Sequence, residues 1–134
     1  MPVTGEMKDK TASLTEVLEL RLAAKQGYVR SQFILAVKLA SGDGIPKDLE
    51  EAVKWYQKAA KQGFAPAQNN LGHIFAGEHY SSPNPAEAVR WFRRAADNGY
   101  GLGQWNLARH LQSGEGINQD LSESVEWVKK AAEQ

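Results

Sequence analysis

One spacing dominates this chain. The pair Ala23-Ala24 with Gly27 returns as Ala59-Ala60 with Gly63, then as Ala95-Ala96 with Gly99, and Ala131-Ala132 follows at the same step of 36 residues. Trp55, Trp91 and Trp127 keep the step, as do Val53, Val89 and Val125, Gln32, Gln68 and Gln104, and Leu35, Leu71 and Leu107. A period of this length marks a repeat architecture. Each unit is one supersecondary element that cannot bury its apolar face alone, so neighbours stack into a continuous core.

Each unit carries two helical patterns. Asp48, Asn84 and Asp120 are N-cap residue types, and Glu51, Glu87 and Glu123 stand three positions on, where their carboxylates are expected to reach back to the backbone N–H of the cap. In the first unit Ala52, Val53, Trp55, Tyr56, Ala59 and Ala60 form an apolar stripe at helical spacing, and Gly63 supplies the left-handed residue that commonly follows a helix. The spacing predicts a long helix over about 49–62 and a shorter one over about 66–76, with Leu71, Gly72 and Phe75 facing inward. A leading helix over about 14–26 has its own capping pair, Ser13 and Glu16. The fold expected is all-α: a right-handed α-solenoid of three 36-residue helix-turn-helix repeats preceded by one helix, spanning 13–134. Residues 1–12 are expected to be an N-terminal tail, disordered to about Lys10.

The same residues resemble the Sel-one-like repeat (SLR) family, related to tetratricopeptide repeats. The resemblance is carried by Ala65-Pro66-Ala67-Gln68, Leu71-Gly72 and Phe75, by the turn Gly42-Asp43-Gly44, and by Asp48, Ala52, Trp55-Tyr56, Lys58-Ala59-Ala60 and Gly63. It covers essentially everything from residue 23 to 134. It implies an adaptor that holds other proteins on the concave face of the array. One branch of the family carries a disulfide in each repeat and is linked to β-lactam binding or hydrolysis; this cysteine-free chain does not resemble that branch.

Composition removes further classes of function. A chain of 134 residues without cysteine forms no disulfide and no thiolate metal site. Its 16 basic and 16 acidic side chains leave no long-range field to gather phosphate backbone or anionic lipid, so neither nucleic acid nor membrane is expected as a partner. The first residues lack the apolar run of a signal peptide, and the most apolar stretch, 33–37, is too short to span a bilayer. A cytoplasmic location follows as the expectation.

Catalysis needs converging titratable groups, and few are found. His73, His79 and His110 make no i, i+4 pair, so no metal site is expected, and the glycine-rich segment 99–103 follows a helix where a dinucleotide loop follows a strand. No catalytic residue and no cofactor are expected. Lys58, Arg94 and Lys130, with Arg90 and Arg93, form a line of positive charge that reads as a solvated face in the last helical turns, where cations suit the helix dipole. The recurring tryptophans read as core filling.

Positions that vary between units are more informative, because the scaffold does not dictate them. Phe33 corresponds to Asn69 and Trp105, Val37 to His73 and Arg109, Arg30 to Pro66 and Leu102, and Ala40 to Ala76 and Gln112. These offsets lie on one helical face. Arg30, Phe33, Val37, Asn69, His73, Trp105, Arg109 and Gln112 are therefore the expected protein-binding residues, with aromatic anchors beside arginine as in interface hot spots. Tyr80 joins them from the middle turn, 77–83, which lacks the second glycine of its counterparts. The function expected is a non-catalytic protein or peptide-binding module, with weak self-association through the apolar C-terminal helix. An immunity or inhibitor protein that blocks a toxin or enzyme is one alternative, and a small-ligand-binding or hydrolytic repeat protein is an alternative of another class.

Overall fold

The computed structural model describes the backbone of residues 5–77 and 82–134, and the side chains of 14–77 and 82–134. Every described element is helical: α1 (Gly5–Lys25), α2 (Val29–Ser41), α3 (Leu49–Lys61), α4 (Ala65–Phe75), α5 (Pro85–Asp97), α6 (Gly101–Ser113) and α7 (Leu121–Ala132). Two helices per unit are found as the repeat predicts, but they are nearly equal, with 13 residues in α2, α3, α5 and α6, 11 in α4 and 12 in α7, so the expected alternation of short and long is not seen. The leading helix also departs from the expectation. It starts at Gly5, so Ser13 and Glu16 lie inside it and do not cap it, and part of the expected tail is helical; residues 1–4 lie outside the described residues.

The chain divides into two compact units, 1–59 and 60–134. In the first, Leu35, Ala36 and Leu39 of α2 are buried, as are Ala52, Trp55 and Tyr56 of α3. Gln32 of α2 donates its side-chain amide to the carbonyl of Ala24 at 3.1 Å, which satisfies a helix-end acceptor in α1. In the second unit one core cluster is formed by Ala88, Val89, Phe92 and Ala96 of α5, Leu107, Ala108 and Leu111 of α6, and Trp127 of α7. Gln68 and Gln104 repeat the glutamine tie, to the carbonyls of Ala60 (3.1 Å) and Ala96 (3.3 Å). Gly114 closes α6 in the left-handed conformation, at φ 77°, which a side chain would disfavour.

The caps work differently from the expectation. The side chains of Asp48, Asn84 and Asp120 accept from the backbone N–H of Glu51, Glu87 and Glu123 at 3.0, 3.2 and 3.0 Å, as a capping box requires. The reciprocal half is absent. The N–H of each cap instead donates to the carbonyl of Leu39, Phe75 or Leu111 at the end of the preceding helix, at 2.7–2.9 Å. With that donor satisfied, the glutamate carboxylates are free to serve elsewhere.

Candidate protein-binding site

The first helices of the three repeats, α2, α4 and α6, carry the expected binding residues, and each unit presents its own. In the first, Arg30 and Val37 are exposed, while Phe33 is half-buried with its ring 6.0 Å from that of Tyr56. In the second, His73 on α4 and Arg109 and Gln112 on α6 line one open cavity of about 410 Å3, together with Phe92, Asn106 and His110. His73 and Arg109 occupy the same position of successive repeats, so stacking α6 beside α4 is what brings them together.

Two expected residues leave this face. Asn69 is 4% exposed, because Asn106 donates its amide to Asn69 Oδ1 at 3.0 Å, and a buried, satisfied amide is not a contact residue. Trp105 is 48% exposed but opens onto a separate apolar depression of about 590 Å3, lined also by Leu102, Val128, Ala131 and Ala132, on the α7 side of α6. Trp105 stands about 6 Å nearer the start of α6 than Arg109, and its depression is lined by Tyr100, Gly101 and Leu102 at that end, whereas the cavity of Arg109 lies toward the other. Tyr80 and His79 lie outside the described residues.

The cavity also gathers residues that the repeat comparison passed over. The Asn106 amide lies 3.2 Å from His73 Nε2, a contact in which the amide donates and the ring proton sits on Nδ1. His110 Nδ1 is 2.9 Å from the carbonyl of Glu115 and must donate to it, which fixes the opposite edge. Phe92 lies between the two imidazoles, 5.2 Å from His73 edge-on and 5.4 Å from His110. No signal in the sequence pairs His73 with His110, since their repeat positions differ by one residue and their approach depends on Phe92 of a third helix. Among the described residues no three of His, Cys, Asp and Glu come together as a metal-holding group.

A family model for the Sel1 repeat matches residues 29–64, 65–100 and 101–134, one match for each helical pair. The chain belongs to the Sel1-repeat family. Sel1-repeat proteins are generally non-catalytic scaffolds for protein–protein interaction. The fold is similar to that of c5321, a protective antigen of uropathogenic Escherichia coli with an SLR fold, at 34% identity and a TM-score of 0.84 over 88% of this chain; the chain spans 25% of that protein. A Sel1 repeat protein from Oxalobacter formigenes is 32% identical, with a TM-score of 0.81 over 89% of this chain and 90% of its own. Cysteine-rich protein B of Helicobacter pylori shares the fold at 16% identity, with a TM-score of 0.68 over 97% and 90% of the two chains. Among curated proteins no significant match is found.

In these Sel1 units the glutamates and cations have local duties. Glu51 accepts from Arg21 at 2.6 Å and from the indole N–H of Trp55 at 3.3 Å; Glu123 accepts from Arg93 at 2.8 Å and from Trp127 at 3.2 Å. The Arg21 hydrogen bond, against some opposing burial, holds the Glu51 carboxyl below the usual carboxylate range, and the Arg93 bond does the same for Glu123. Lys58, Arg94 and Lys130 each lie over the tryptophan three residues before them, 5.3, 4.6 and 4.4 Å from the ring centre. The line of positive charge therefore shields three buried indoles. Among the described residues no helix is long and apolar enough to cross a membrane.

Proposed function

We propose that this Sel1-repeat chain is a non-catalytic adaptor that binds a partner protein through the face formed by α4 and α6. The observation that carries the reading is the convergence of His73, Arg109 and Gln112 on one open cavity. The repeat fixes residues that pack, and it leaves these positions free to vary. Side chains so released from the scaffold, gathered around a partly aromatic depression beside an exposed arginine, have the makings of an interface anchor.

The test is capture of a partner by the wild-type chain and by variants of equal helicity. His73→Ala and Arg109→Ala should each weaken the captured complex by about 1–2 kcal/mol, the range of moderate interface residues. Lys61→Ala, exposed on α3, should leave it unchanged. Equal losses at all three positions would show non-specific charge attraction and end the assignment.

A further inference from the structure

The α4–α6 cavity carries a chemical preference narrower than protein binding. Arg21, Arg90 and Arg93 each hold a glutamate, and Arg94 lies over Trp91. Arg109 has no such acceptor among the described residues and stands exposed at the cavity wall. Gln112, one turn along the same helix, lines the same wall, and the bond it receives from Gln119 goes to its backbone carbonyl, which leaves its side-chain amide uncommitted. Neighbouring polar groups are engaged: the Asn106 amide by Asn69 and His73, His110 Nδ1 by the Glu115 carbonyl, and the Ser113 hydroxyl by His110 and Glu115. One guanidinium fork and one primary amide therefore face the opening together, and such a pair matches the planar, two-oxygen geometry of a carboxylate. Glu115 also lines the cavity and brings one negative charge to it. That charge admits a singly charged carboxylate more readily than a doubly charged phosphate.

We propose that this cavity takes a carboxylate of the partner, held in two-pronged fashion by Arg109 with Gln112 as second donor. Its methylene groups lie against the aromatic wall of His73, Phe92 and His110. The proposal rests on the protein-binding reading of the same face and names the chemistry of its occupant.

Three blocked probes separate the possibilities: acetyl-Ala-Ala-Glu-Ala-Ala-amide, the same peptide with Gln for Glu, and acetyl-pentaalanine with a free C-terminus. The readout is the chemical shift of the Arg109 guanidinium and Gln112 side-chain amide during titration. The glutamate peptide should shift both in a saturable way, the glutamine peptide should bind at least about tenfold more weakly, and Arg109→Gln should remove that difference, as expected for loss of a two-pronged guanidinium–carboxylate contact. Lys61→Gln, at an exposed cationic position of α3, should change nothing. Binding of the free-terminus alanine peptide at the same residues would assign the carboxylate to a chain end, and its absence to an acidic side chain. A glutamine peptide that binds as well in the same place overturns the carboxylate and leaves the protein-binding reading intact. Shifts that avoid Arg109 and Gln112 overturn the carboxylate site, and the broader reading falls with it only when partner capture also ignores His73→Ala and Arg109→Ala.

Discussion

Phe92 rests on the backbone of Gly72, in the space that any side chain at that position would fill. The ring is 1% exposed and has an imidazole on each of two sides, so it has nowhere to retreat. Glycine inside a helix is otherwise unfavourable by about 1 kcal/mol relative to alanine. Gly72→Ala should nevertheless destabilise the protein by about 1–3 kcal/mol, the usual cost of overpacking a close-packed core. Urea melts of Gly72→Ala alone and combined with Phe92→Leu check this, with the second change expected to recover part of the loss.

Conservative replacement should separate the tryptophans. Trp127 donates its N–H to Glu123, whereas the buried Trp91 N–H has no partner among the described residues, since Glu87 pairs with Arg90 at 2.8 Å. Trp127→Phe gives up a hydrogen bond to a charged group, about 1.5–3 kcal/mol, while Trp91→Phe removes an unmet donor. Both lose the same ring volume. Thermal melts should therefore rank Trp127→Phe as the more damaging, and the reverse order would show that ring packing outweighs the N–H.

Acid should weaken the two Arg–Glu ties in a defined window. A carboxyl whose pKa is lowered by folding stabilises the native state fully above its unfolded pKa, about 4.3, and loses that contribution as pH falls through the lower folded value. Glu51 and Glu123 are both of this kind. The melting temperature of the wild type should fall more steeply below about pH 4.3 than that of Arg21→Gln/Arg93→Gln, which lacks the partners that lower both values. Parallel curves would mean that other carboxyls set the acid limb.

The buried amide pair predicts a non-additive cycle. Asn69→Leu alone takes one of the two acceptors of the Asn106 amide and leaves it only His73, and Asn106→Leu alone leaves Asn69 Oδ1 without that donor and withdraws one from His73. Each should cost about 1–3 kcal/mol, whereas the double variant should lose less than the sum, since an orphaned polar group is costlier than a missing pair. Chemical denaturation of the four species decides it.

The helical repeat was legible because its evidence is local and multiplied: cap types, apolar stripes and Ala-Ala-Gly ends recur at one step, so each unit corroborates the others. The start of α1 was not legible, because Ser13 and Glu16 offer a cap that the structure does not use. The candidate site was half legible. Variation between repeats singled out His73, Arg109 and Gln112, and the cavity brings them together. It also singled out Asn69, which is buried by a partner 37 positions away that no local pattern announces. Phe92 and His110 reach the cavity only through packing among three helices, where no single-helix periodicity extends.

The polar ties of this chain recur at fixed sequence offsets: Gln32 to Ala24, Gln68 to Ala60 and Gln104 to Ala96; Arg21 to Glu51 and Arg93 to Glu123; Asn98 to Gln68 and Gln134 to Gln104. Such bookkeeping by offset bears on inheritance. A gene that duplicates or deletes one 36-residue block hands nearly every donor to an acceptor of the same kind, so a longer or shorter descendant arises in one step without stranding most of these groups. Insertion of any other length between α5 and α6 would slide Gln104 off Ala96, which makes the repeat length itself the quantity that selection can count.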